Sequence, residues 1–285
     1  MTTRYGCDEK DLAHYTCYRT SHKPPLDGRL DGPAWREAPR SPRFVDLVSG
    51  VAGFLETRLA SLWDDDYLYV GFWASEPNVQ ARLAGRDSLV WSENDVEVFI
   101  GGEDCYYEFE MNALGTIYEV FYIWQDALKK GSRFDRPEFD LRTHPVDVLG
   151  GFQDALRYGR HPRGRRWAFM DWDLPGLRTS VHVRGTLNDP ADVDEGWTAE
   201  IAFPWSGLSL LAGRRSVPPR PGDVWRMDFS RFELLESCGA EAEPHPGWAL
   251  NKHGVYDSHI PECFSFVHFS GLDAAEAARV HKTAK

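Results

Sequence analysis

The stretch Trp91-Ser92-Glu93-Asn94-Asp95-Val96-Glu97-Val98-Phe99-Ile100 sets an indole ahead of a run of alternating side chains. On a strand successive side chains point to opposite faces, so Val96, Val98 and Ile100 share one face and Asp95, Glu97 and Phe99 the other. If the apolar set faces a core, two carboxylates stand side by side next to an aromatic ring. An ionised carboxylate only accepts hydrogen bonds, and a flat ring offers an apolar stacking face. Together they suit a sugar, whose C–H face stacks and whose hydroxyls donate. The plain alternative is the solvated face of a half-buried strand.

Neighbouring segments repeat the arrangement. After the turn Gly101-Gly102-Glu103-Asp104, the strand Cys105 to Asn112 puts Tyr107, Phe109 and Met111 on one face. Tyr106, Glu108, Glu110 and Asn112 take the other, and Ile117 to Ile123 is the expected return strand. In Val224 to Glu233, Trp225, Met227 and Phe229 alternate with Arg226, Asp228 and Ser230. Acids and amides collected on one face of adjacent strands make a candidate binding surface of Glu97, Glu110, Asn112 and Asp228. The same carboxylates also admit a catalytic alternative. Asp95, Glu97, Glu108 and Glu110 could supply a hydrolytic pair, with His245, His253, Asp257 and His259 of a later loop as bases or metal ligands. Asp64-Asp65-Asp66 is a third chemical candidate, either a calcium site or simply a tight turn, since hard-cation loops usually alternate their ligands around a glycine.

The elements that must position these groups are short. Strands are expected at Ala13 to Thr20, Thr57 to Trp63, Tyr67 to Ala74, Leu177 to Thr186, Gly196 to Phe203 and Phe264 to Ser270, besides those above. Leu30-Asp31-Gly32-Pro33-Ala34-Trp35 reads as a capped helical turn with Trp35 plugging the core edge. Ser206 to Leu211 reads as another helical turn, and 272–285 as a short C-terminal helical tail. Residues 124–175 hold little periodicity beyond Trp167 to Met170 and read as a long insertion or loop, which in a compact domain is usually functional or mobile. Some ten short strands with turns between them predict one all-β domain over 1–285, an antiparallel, jelly-roll-like β-sandwich.

Composition narrows the partners. A net charge of −12 argues against nucleic acid or an anionic membrane. Between Lys129 and Arg166, however, ten Lys/Arg meet five Asp/Glu, including Arg157, Arg160, Arg163, Arg165 and Arg166. Closed over the site, that run would favour an anionic sugar; the alternative is a surface insertion or oligomer contact. Five cysteines without a C-x-x-C pair indicate neither a zinc site nor a disulfide framework. No apolar run follows the charged N-terminus and no span of membrane length occurs, so a cytoplasmic setting is the expectation.

Five blocks in order resemble the family 9 carbohydrate-binding modules: Leu26 to Trp35 (LDGRLDGPAW), Leu62 to Val70 (LWDDDYLYV), Trp91 to Ile100, Gly196 to Trp205 (GWTAEIAFPW) and Pro221 to Arg226 (PGDVWR). The resemblance implies a β-sandwich of the DOMON-like group that binds sugars, often at glycan chain ends, sometimes with structural calcium. It implies a stacking tryptophan at Trp91, a hydroxyl acceptor at Glu97 and a polar pair at Glu110 and Asn112. The first of that pair is commonly basic in the family, so Glu110 is a departure. The family's second stacking tryptophan precedes the last strand, where this chain reads Tyr256-Asp257-Ser258-His259-Ile260-Pro261-Glu262; Trp248, Tyr256 and His259 are the candidate replacements. Because some DOMON-like domains carry haem through Met and His, Met111, Met227 and His268 form a further alternative. No other cofactor is expected.

Overall fold

A computed structural model describes residues 7–150, 161, 163–234 and 245–283. In chain order the strands are β1 (His14–Arg19), β2 (Val45–Asp46), β3 (Thr57–Trp63), β4 (Tyr67–Ser75), β5 (Asp95–Gly101), β6 (Cys105–Asn112) and β7 (Ile117–Trp124). They continue with β8 (Val146–Leu149), β9 (Arg166–Phe169), β10 (Arg178–Arg184), β11 (Gly196–Pro204), β12 (Val224–Phe232), β13 (Gly247–Ala249) and β14 (Ser265–Asp273). Three short α-helices, α1 (Pro33–Glu37), α2 (Ser209–Ala212) and α3 (Ala274–Thr283), and several single helical turns accompany the strands among the described residues. None is long and apolar enough to cross a membrane.

The strands hydrogen-bond in the order β10-β11-β4-β3-β1-β14-β12-β5-β6-β7-β9-β8, with β13 and β2 attached through β12. The path folds back on itself. Phe203 of β11 packs edge-on against Phe109 and Tyr107 of β6, at 5.4 and 6.2 Å between ring centroids, and Phe72 of β4 meets Phe229 of β12 at 6.4 Å. Strands near the start of the order thus face strands near its end across one apolar core, which makes a β-sandwich. The expected alternation fills that core: Val96, Val98, Ile100, Tyr107, Phe109, Met111, Trp225, Met227 and Phe229 are buried in it.

One expectation is corrected. The sheet is mixed rather than wholly antiparallel, because β1 pairs in parallel with both β3 and β14. Parallel neighbours need a long crossover, and the 20–56 connection, carrying α1 and β2, supplies it. α1 lies on the outer face of its half, where Trp35 sits edge-on to Trp73 and donates its indole N–H to the buried Glu200 at 2.7 Å. Glu200 also accepts from the Gly28 amide, at 2.9 Å. Gly28 has φ +77° and a Cβ there would come within 2.5 Å of the Val181 carbonyl carbon, so this turn requires glycine.

The second correction concerns cysteine. Cys7 and Cys263 are joined by a disulfide across 256 residues of sequence. Spacing could not reveal it, because the pair is brought together only when the N-terminal segment packs against the turn leading into β14. Cys17 and Cys105 are buried thiols.

The described residues of the 124–175 stretch include two strands, one of them at the expected Trp167 to Met170. β9 pairs with β7 and β8 pairs with β9, so these two strands extend the sheet. Of its basic run, Arg157 and Arg160 lie outside the described residues.

Candidate functional site

The side of the β12-β5-β6-β7-β9-β8 half turned away from the shared core is concave and holds a cavity of about 610 Å³. Its floor is built by alternation: Glu97 and Phe99 from β5, Glu108 and Glu110 from β6, and Tyr118 and Tyr122 from β7. Asp147 and Leu149 of β8 form one side, and the 256–260 loop with Phe232 and His245 forms another. Trp91, in the single helical turn Val90–Ser92 ahead of β5, stands at the edge with 52% of its surface exposed.

Cross-strand register explains why the acids gather. Glu97 lies directly opposite Glu110 on β6 and Ser230 on β12, Asp95 opposite Asn112, and Phe99 opposite Glu108. Like charges placed directly opposite each other destabilise a sheet, and these are buried as well: Glu97, Glu108, Glu110 and Asp95 are at most 4% exposed. Glu97 accepts from the Ser230 hydroxyl at 2.7 Å. Burial and then the neighbouring Asp95 and Glu108 carboxylates push Glu97 well above the usual carboxylate range. Burial with Glu108, Glu97 and Asp95 does the same to Glu110, against the Trp91 amide N–H. One oxygen each from Asp95, Glu97 and Glu110 lies within 4.8 Å of the others, a grouping that could hold a cation.

A second cluster lines the same cavity. Glu108 accepts from the Tyr122 hydroxyl at 2.7 Å and sits 3.4 Å from His259 Nε2, and burial raises it to about 8. Burial, reinforced by the Arg166 charge, lowers His259 to about 3, so the imidazole is neutral at ordinary pH. Arg166 Nε donates to the Tyr106 hydroxyl oxygen at 3.1 Å, leaving that hydroxyl's hydrogen for His259 Nδ1, also at 3.1 Å. His259 then carries its proton on Nε2, the nitrogen that faces Glu108 Oε1 at 3.4 Å. The arrangement holds one face of a ring-lined slot, with Tyr106 and Tyr122 stacked at 4.5 Å.

Of the eight ligand candidates from sequence, the fold brings Trp91, Glu97, Glu110, Tyr256 and His259 to this cavity. The other three lie elsewhere. Asn112 donates to the Leu83 carbonyl and the Glu93 carboxylate and accepts from the Leu114 and Thr116 amides, so its side chain is spent on holding the chain around β6. Asp228 is fully buried beside His253, 3.3 Å away. Trp248 is 1% exposed and packs under Arg231, whose guanidinium is 5.5 Å from its ring and is bound by Glu76 and Glu233. Asp64 accepts from the Asp66 and Tyr67 amides, whereas Asp65 pairs with Arg19 and Asp66 with Lys23, so the three aspartates face separate partners. Met111 and Met227 are packed in the shared core, and His268 lies on the opposite face of β14 stacked on His14, so these three do not converge.

Tyr118, Tyr122, Asp147 and Leu149 were not legible as site residues. β7, expected as a return strand, contributes tyrosines to the polar face and turns its acid, Glu119, inward to the Tyr107 hydroxyl, Arg86 and the Leu174 amide. Aromatics on both faces of β7 left no polarity signal to read.

No protein-family model and no curated protein matches the chain. Among solved structures it is similar to a protein from Bacteroides uniformis ATCC 8492 described provisionally as carbohydrate-binding. That match has a TM-score of 0.57 at 15% identity and covers 91% of this chain and 100% of that one. It is also similar to a family 9 carbohydrate-binding module from Caldicellulosiruptor kristjanssonii, solved with cellotriose and with glucose. Both structures align at a TM-score of 0.46 and 13% identity, covering 90% of this chain and 94% and 96% of theirs. The first likeness is one of fold, and it agrees with the β-sandwich described above.

Proposed function

We propose that the protein binds a carbohydrate in the cavity between Trp91 and the 256–260 loop. The observation that carries this reading is a half-exposed indole at the edge of a 610 Å³ cavity whose floor presents Glu97 and Glu110. An exposed ring stacks on a pyranose face, and carboxylates accept its hydroxyls. The order of the five sequence blocks and the description of the Bacteroides uniformis neighbour support the same reading. Tyr256, half-buried at the same cavity and edge-on to Phe232 at 5.6 Å, takes the part of the second aromatic wall. Described lining carboxylates outnumber the one lining guanidinium, Arg166. This balance favours a neutral sugar over the anionic one suggested by the basic run.

A glycan array probed with the full chain tests the proposal. At least one glycan class should bind, and Trp91→Ala should weaken it at least about tenfold, the scale of a lost stacking contact, with no change in unfolding midpoint because Trp91 is half in solvent. No binding, or binding indifferent to Trp91→Ala, overturns it. The catalytic alternative keeps Glu97, Glu108, Glu110 and His259 in one cavity, and product release from a panel of glycosides would establish it. The Cys7–Cys263 bond supports an oxidising compartment in place of the cytoplasmic setting.

A further inference from the structure

We infer that Asp95, Glu97 and Glu110 form a binding site for a hard divalent cation, calcium by size, whose open positions face the cavity and take two hydroxyls of the bound sugar. Three acidic residues close together do not by themselves make a site, but two further observations point to a missing partner here. Asp95 Oδ2 and Glu110 Oε2 are each buried with no hydrogen-bond partner among the described residues. The companion oxygen of Asp95 accepts from the Phe232 N–H at 3.2 Å, so that carboxylate is held in place with one oxygen left over. Buried acceptors normally find a partner, and an unmet one costs about 1–3 kcal/mol.

The charge balance agrees. The charged groups acting on Glu97 and Glu110 are carboxylates, and the guanidinium that acts on Asp95, Arg231, is already paired with Glu76 and Glu233. A cation is the partner that would satisfy both the orphaned oxygens and the uncompensated charge. An all-oxygen donor set selects a hard cation over zinc or copper. Calcium–oxygen bonds of roughly 2.3–2.6 Å let ligands on opposite sides of one ion stand up to about 5 Å apart, and the three oxygens lie within 4.8 Å of one another. Three protein ligands leave several of calcium's six to eight positions open. Glu97 and Glu110 line the cavity while Asp95 stands behind them, so those positions open toward the ligand. The cation half of the inference stands on the carboxylates; the hydroxyl half rests on the proposed carbohydrate-binding function.

The test begins with calcium alone. Calorimetric titration of the metal-free full chain with Ca²⁺ should give one ion per chain and a higher thermal midpoint, and Glu110→Gln should weaken uptake at least tenfold. Because that variant could fold poorly, the native chain is also measured with and without EDTA against the glycans retained on the array. Binding should fall at least tenfold in EDTA and return with added Ca²⁺. No uptake of Ca²⁺, Mg²⁺ or Mn²⁺ up to about 10 mM, above the weak end of calcium-binding modules, overturns the cation site. Calcium uptake with glycan binding indifferent to EDTA overturns the bridging. Calcium uptake with no glycan bound at all overturns the carbohydrate reading and supports the cation site alone.

Discussion

Asn112 shows how a residue can have the right type and the wrong job. Its place on the polar face of β6 and its match to the family's polar pair mark it as a sugar contact, yet all its hydrogen-bonding capacity is used by Leu83, Glu93, Leu114 and Thr116. Asn112→Ala should therefore destabilise the protein by about 2–4 kcal/mol, since buried groups lose partners they cannot replace. Urea unfolding would measure that loss, while the folded fraction keeps its glycan affinity. A stable variant with weakened glycan binding would return Asn112 to the ligand set. Trp91 is the converse: it is held by a single helical turn and spends little of its surface on the fold, which leaves its ring for a ligand.

At the scale of elements, the cavity depends on a loop docking against a sheet. His253 joins the two: its Nε2 lies 3.3 Å from Asp228 of β12 and its Nδ1 2.8 Å from the Asp257 carbonyl, just before the wall residue His259. Burial lowers this imidazole's pKa, but the Asp228 carboxylate and the Asp257 carbonyl raise it more, so it ends above its ordinary 6.5. A group raised on folding stabilises the protein fully below its unfolded pKa, and the contribution is lost as pH rises through the folded value. The stability gap between the native chain and His253→Gln should accordingly narrow as pH rises from the ordinary 6.5 through the higher folded value. A gap constant across that range would show that His253 acts only by packing. The β5–β6 ladder has a cost of its own, since Glu97 and Glu110 face each other in register, an arrangement more easily explained by a ligand or an ion than by stability.

For the whole molecule, the N-terminal segment and the approach to β14 are tied together twice. β1 sits between β3 and β14 in parallel register, and the Cys7–Cys263 bond links the chain ahead of β1 to the turn before β14. A crosslink closing so long a loop restricts the unfolded chain strongly, by about 2–4 kcal/mol in typical proteins. Cys263→Ser should lower the unfolding midpoint by a corresponding amount, and reducing agent should shift the native protein but not the variant. An equal response of both to reducing agent would mean that the thiols are not joined in solution.

What the sequence determined by itself was the local and periodic part. Alternation set the two faces of β5, β6 and β12 correctly because each strand buries one face in the shared core, and turn chemistry separated most of the strands. β8 and β13, at four and three residues, are too short to show a period, and they exist because longer neighbours pair with them. Tertiary structure alone decided which polar faces were solvated and which were enclosed. It sank Trp248 under Arg231, tied up Asn112, buried Asp228 beside His253, and brought Asp147 and His259 from distant parts of the chain to the cavity of Glu97 and Glu110. Those outcomes depend on contacts between residues far apart in sequence, and no local pattern encodes them. Residue type and alternation could identify acids on a strand face; only the packing of β8 and the 256–260 loop around that face made it a cavity.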